Sequence, residues 1–376
     1  MSLAFDRVGE PDREATRART SGPRLILAGT VSVALAACTG PSGLPCEPAS
    51  HYAAEAGAPY RAVEARVPAP EGYVLVGTLT LPKPAAGPAP AVVLISGSHA
   101  QTRDMVGGTE EPLVRYRPFR QLAETLSRRG IAVLRLDDRG TGCSGGGRLS
   151  EASTATRADD TRAALTFLRG RREVDRRRLG LLGISEGATI AVMIAAADGA
   201  LRAVVSMAGT AGPGWQVWAH QTRYLISLGQ EMDPAKKARW RAGEDPERIL
   251  EERVAEARAH VAAGEANAWW TFFFDFDPSI PAREVSAPVL ILHGDRDSNV
   301  PVAHAHKLAQ AIRSGGNSDV TVKIHPDHNH LFLPDKHGGF RRYGQLLAQT
   351  NQVPAPILEQ IADWLAQRLA VEEEGG

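Results

Sequence analysis

LGLLGISEGATIAVMIA, Leu179–Ala195, is an apolar run broken at its middle by Gly183, Ser185, Glu186 and Gly187. Arg178 to Leu182 reads as a strand, and Ala188 to Ala197 as a buried helix. A break of small residues between two such elements is a tight strand-to-helix turn, because nothing larger fits where the chain reverses so sharply. The spacing Gly-x-Ser-x-Gly adds a second reading. In that pattern the turn is strained, and it lifts a serine hydroxyl clear of the sheet as a nucleophile.

The flanking sequence keeps the same beat. Strand-like runs lie at 73–81 (YVLVGTLTL), 89–96 (APAVVLIS), 131–137, 201–209, 289–294 (VLILHG) and 320–326 (VTVKIHP). Between them are helical patterns at Pro112–Arg129, Asp159–Arg169, Ala303–Ile312 and Ile357–Leu369. Continuous apolar strands alternating with helices predict an α/β fold, a mostly parallel central sheet with helices on both faces. Functional residues in such sheets gather at the carboxyl ends of the strands.

Residues 210–283 break the alternation. They show no buried strand but a clear helix, with Asp245 as N-cap, Pro246 at its first position and Gly264 after its end. Five of the six tryptophans and four of the nine phenylalanines fall here, which predicts an inserted helical cap. Its rings can fasten the insertion to the main domain or line a substrate pocket.

A serine hydroxyl needs a base, and the base needs an orienting acid. Asp295 and Asp297 follow the strand VLILHG; His325, His328 and His330 end or follow VTVKIHP. The order Ser, Asp, His at three strand ends predicts a triad of Ser185, an aspartate and a histidine. The oxyanion would be held by the backbone N–H of Glu186 and by one from the loop after 89–96, assigned to Ser98 with His99 as the rival. His325, Asp327, His328 and His330 could instead ligate a metal, but their spacing fits no common zinc pattern, so no metal and no cofactor is expected.

Lys plus Arg and Asp plus Glu balance at 43 each over 376 residues, which gives no reason to expect a nucleic-acid partner. Cys38, Cys46 and Cys143 are too few and too scattered for a disulfide framework, and are read singly. Arg13, Arg17, Arg19 and Arg24 precede the thirteen-residue apolar run LILAGTVSVALAA, which is too short to span a bilayer but suits a secretory signal. It ends Leu35, Ala36, Ala37, Cys38, which resembles the lipobox of bacterial lipoproteins. That resemblance implies cleavage before Cys38, its acylation, export and a lipid anchor in the cell envelope. The expected organisation is therefore a signal peptide at 1–37, a flexible tether at 38–65, a main domain at 66–209 and 284–370, the cap at 210–283 and a disordered acidic tail at 371–376.

From about Gly72 to Trp364 the chain resembles the α/β-hydrolase esterases of bacteria with a short helical cap. The likeness rests on GTLTLPK (77–83), ISGSHAQTRD (95–104), LRLDDRGTGCSGG (134–146), TFFFDFDP (271–278), HGDRDSNVP (293–301) and NHLF (329–332). It implies an α/β-hydrolase fold, Asp297 rather than Asp295 as the acid, His330 as the base, and a small carboxylic ester as substrate. His99 stands where that family usually has glycine, and Ile184 where histidine is common. The same triad would serve a peptidase acting on small peptides, and a hydrolase scaffold can also serve as a non-catalytic binding module.

Overall fold

The computed structural model describes residues 43–83, 87–230 and 232–370. The expected signal peptide, Cys38 and the tail at 371–376 lie outside them. Eight strands form one sheet: β1 (Tyr60–Pro68), β2 (Val74–Pro82), β3 (Ala89–Ile95), β4 (Ala132–Leu136), β5 (Val174–Ile184), β6 (Ala203–Met207), β7 (Val289–Gly294) and β8 (Val320–His325). Their order is β1-β2-β4-β3-β5-β6-β7-β8. The β1–β2 and β2–β4 pairs are antiparallel and the rest parallel.

Strand side chains alternate between faces, so a strand covered on both sides must be apolar at every position. Along β3, Ala91, Val93 and Ile95 enter one core, whereas Val92 and Leu94 enter the other. Along β7, Val289 and Ile291 part from Leu290 and Leu292 in the same way. Helices α2 (Thr154–Arg169), α3 (Glu186–Ala197) and α8 (Ala303–Ser314) supply Leu165, Ile190 and Leu308 to the first face. Helices α1 (Pro118–Arg128) and α10 (Ala355–Arg368) supply Leu122 and Ile361 to the second, beside the short α9 (Tyr343–Gln349). The segment between β6 and β7 is helical: α4 (Gly214–Ser227), α5 (Pro234–Arg241), α6 (Pro246–Ala262) and α7 (Ala268–Asp275).

Two expectations are corrected. The described part of the expected tether is packed: Leu44 and Tyr52 are buried, and β1 begins at Tyr60 by pairing with β2. Its Gly, Pro and Ala content hid three aromatic and aliphatic anchors, among them Tyr52, whose ring lies 4.1 Å from the Arg103 guanidinium. The cysteines are not single either, since Cys46 and Cys143 form a disulfide across a sequence separation of 97. Spacing along the chain carries no signal for a bridge that tertiary packing creates.

The turn 137–147 after β4 ties the early strands together. Asp137 accepts the backbone N–H of Arg103 at 2.7 Å and pairs with its guanidinium at 2.7 Å, both side chains being buried. Asp138 accepts from the Ser96 hydroxyl at 2.6 Å and the Gln101 N–H at 3.0 Å, which holds the loop after β3. The Ser144 hydroxyl accepts the Val76 N–H at 2.8 Å.

Candidate active site

Ser185 sits between β5 and α3 with φ 56° and ψ −119°, a backbone conformation that L-residues adopt only under constraint. The constraint is visible. The Ser185 N–H donates to the Met207 carbonyl at 2.8 Å, and the Ser185 carbonyl accepts the Ala188 N–H at 3.0 Å. A Cβ on Gly187 would lie 2.1 Å from the Ile95 carbonyl oxygen, and one on Gly183 would lie 2.0 Å from that of Gly187. Both glycines are therefore required by close backbone approach.

Asp297 follows β7, two strands from β5. Its Oδ2 lies 2.8 Å from His330 Nδ1 and 3.1 Å from His293 Nε2, while Oδ1 accepts the N–H groups of Asn299 and Val300 at 2.8 and 2.9 Å. Burial alone would raise its pKa. The His330 charge and the hydrogen bonds from His293 and His330 outweigh that and hold the carboxyl well below the usual range. Because Asp297 is a carboxylate, His330 carries its proton on Nδ1 and leaves Nε2 as the acceptor a general base needs.

His330 reaches this position because the loop after β8 folds across the end of β7. A Cβ on Gly294 would stand 2.2 Å from the His328 carbonyl oxygen, so only glycine lets that loop pass. Buried Asn329 pins it, its Oδ1 accepting the N–H groups of Leu331 and Leu333 at 3.0 and 3.1 Å. His330 and Ile184, the neighbour of Ser185, line one small cavity with Met105 and Met207. The structure thus brings Asp297 to His330. It leaves Asp295 outside, accepting the Asp327 N–H at 2.7 Å.

The loop after β3 lies against the elbow, where a Cβ on Gly97 would be 3.4 Å from Ser185 Cβ and 4.0 Å from its Oγ. Ser98 follows directly. His99 has φ 72°, which explains why glycine is the ordinary occupant of such a position. Glu186 is the first residue of α3, so its N–H has no partner within the helix. Ile184 is buried among Met207 and Phe332 and acts in packing.

His325 and His328 do not join the site. His328 Nδ1 lies 2.7 Å from the Pro326 carbonyl, and Asp327 pairs with Arg296 at 3.2 Å. Among the described residues no three His, Cys, Asp or Glu side chains are gathered as a metal would require. Sequence reasoning missed His293, fully buried, whose Nε2 also lies 2.9 Å from the Val300 carbonyl. Both neighbours are acceptors, so Nε2 carries the proton and the ring donates to Asp297. The available signal was an imidazole ending an apolar strand.

In the segment between β6 and β7 the rings divide between two uses. Phe274 and Trp218 are buried with Ala257, which fastens the helices to one another. Trp269 and Phe273 stack at 4.6 Å and remain half-buried on α7, which packs against α2 and the turn at Leu149–Glu151.

Residues 107–337 match the hydrolase family described as "Serine aminopeptidase, S33". An uncharacterized protein of Pseudomonas aeruginosa is 24% identical over 291 residues, which cover 70% of this chain and 74% of that protein. Its crystal structure superposes with a TM-score of 0.55 at 19% identity, over 84% of this chain and 96% of the other. An esterase of Pyrococcus furiosus superposes with a TM-score of 0.53 at 15% identity, over 83% and 92%. Likenesses this distant show the fold, which is that of the α/β-hydrolases.

Proposed function

Because the chain belongs to the serine aminopeptidase family of hydrolases, we propose that it is a serine hydrolase that cleaves small carboxylic esters through Ser185, His330 and Asp297. Ser185 Oγ attacks the acyl carbonyl as His330 Nε2 takes its proton. The same proton passes to the leaving alcohol, and water then releases the acyl group by the reverse route. Asp297 fixes the imidazole tautomer and stabilises its charged form, with His293 as a second donor to the carboxylate. The N–H groups of Ser98 and Glu186 hold the oxyanion. No cofactor enters this chemistry.

The observation that carries the reading is the 2.8 Å contact of His330 with Asp297, together with a serine held at φ 56° on a strand-to-helix turn. Ser185→Ala is expected to abolish burst release from a p-nitrophenyl butyrate substrate, a loss of roughly 10⁶-fold in kcat. Retained turnover overturns the mechanism. The family description favours a second reading, cleavage of aminoacyl bonds, so alanine p-nitroanilide belongs in the same assay. Turnover of the anilide and not the ester would decide for a peptidase, whereas failure of both together with no fluorophosphonate labelling would point to a binding module.

Helices α4–α7 are read as a cap whose half-buried Trp269 and Phe273 receive an apolar acyl or alcohol part. Leu35–Cys38 is read as a lipobox, with the protein anchored by Cys38 to the bacterial envelope. The Cys46–Cys143 disulfide supports export, because such bonds persist in oxidising compartments. Metabolic labelling with an alkynyl fatty acid is expected to mark the protein and to be lost in Cys38→Ser. Equal labelling of both would reject the anchor.

A further inference from the structure

Arg157 lies buried on α2, outside the triad, and meets the Glu186 side chain and the start of the loop that carries Ser98. Its Nη1 is 2.9 Å from Glu186 Oε2, the side chain of the residue that follows the nucleophile. Its Nη2 donates to the Ser96 carbonyl at 3.2 Å and to the Ser96 hydroxyl at 2.9 Å, at the root of the loop that carries Ser98. Asp138 stands 3.5 Å from the same nitrogen and closes the network by accepting from Ser96 and Gln101. The Glu186 carboxylate also accepts from the Thr154 hydroxyl at 2.7 Å.

A buried guanidinium between two carboxylates is a poor device for stability, since desolvation offsets most of the Coulomb gain. Its planar head is suited to geometry: one nitrogen hydrogen-bonds Ser96 while the other forms an ion pair with Glu186, a span that a lysine ammonium does not match. We propose that Arg157 is a positioning residue that sets the distance between the two halves of the oxyanion hole, the Glu186 N–H and the Ser98 N–H. This rests on the assignment of Ser185 as nucleophile. Glu186 then acts twice, through its N–H toward the substrate and through its carboxylate toward the strut that places it.

The test uses the full chain with Arg157→Lys, Arg157→Met and Glu186→Gln, with Ser185→Ala as reference. kcat and KM are read on p-nitrophenyl butyrate, affinity on butaneboronic acid, whose adduct with the serine is tetrahedral, and folding on circular dichroism and Tm. Loss of one oxyanion donor costs about 10²–10³ in kcat, so a displaced donor is expected to cost roughly 10–100-fold. KM should stay within about threefold, and boronate affinity should fall by the same factor as kcat/KM. Arg157→Lys should lose about as much as Arg157→Met, because charge without the fork does not register the two segments. Folded variants with kcat within about twofold of the parent overturn the proposal, as does a rise in KM with unchanged boronate affinity. If Arg157→Met fails to fold, Arg157→Lys and Glu186→Gln carry the same reading. Activity remaining in Ser185→Ala would reject the nucleophile itself; an inactive Ser185→Ala beside fully active Arg157 variants rejects only the strut.

Discussion

Asp138 shows how a single buried carboxylate imposes a pH dependence on the whole fold. Burial pushes its pKa up to about 6, against the Arg157 charge and the hydrogen bonds from Ser96 and Gln101, and with Glu186 adding to the rise. The folded chain therefore keeps this proton up to about pH 6, whereas the unfolded chain releases it near pH ~4. The associated stability is fully present below pH ~4 and is lost as pH rises through about 6, by roughly 3 kcal/mol. Asp297 has the opposite sign, and its contribution is lost only as pH falls below ~4. Asp138→Asn should flatten the decline between pH 4 and 6 in urea denaturation, and an undiminished slope in that variant contradicts the assignment. The positions of Ser185, Asp297 and His330 at the ends of strands were legible in the sequence, because polar side chains that end apolar strands stand out. Arg157 was not, since an arginine on an amphipathic helix reads as solvent-facing until the partner that buries it is known.

The strand–turn–helix element around Ser185 was read correctly because its steric requirements are local. Gly187 is where they are sharpest: an added Cβ would meet the Ile95 and Ser96 carbonyl oxygens at 2.1 and 2.5 Å, and both are backbone atoms that cannot rotate away. Gly187→Ala is expected to destabilise the protein by about 1–3 kcal/mol and to lower kcat by displacing the loop that carries Ser98. Gly344→Ala in α9, where a Cβ meets nothing within 4 Å, is the control. Equal urea midpoints and equal kcat for the two variants would contradict the steric argument. Boundaries were read less well. α2 begins at Thr154, five residues before the expected start, because Ser153 caps it by accepting the Thr156 N–H at 3.2 Å. α1 begins at Pro118 rather than Pro112, with proline at its first turn. β1 escaped notice because an edge strand buries only part of its side chains, so YRAVEARVP carries no continuous apolar run.

At the scale of the molecule the sequence conveyed the sheet and the helical segment between β6 and β7, because each leaves a periodic trace along the chain. What it did not convey are the contacts that join distant segments, above all the bond between Cys46 and Cys143. A covalent link closing a loop of that length removes roughly 4–5 kcal/mol of chain entropy from the unfolded state in the loop-closure description. It also divides the polypeptide into a ring and a remainder. β1, β2, β3 and β4 all lie inside the ring, whereas Ser185, Asp297 and His330 lie outside it. A single backbone cut within the ring leaves one covalent molecule with Ser185, Asp297 and His330 still on the same stretch of chain. The same cut in α4–α7 leaves Ser185 on one polypeptide and Asp297 and His330 on another with no covalent link between them, so the two halves of the protein differ in what holds them after a cut.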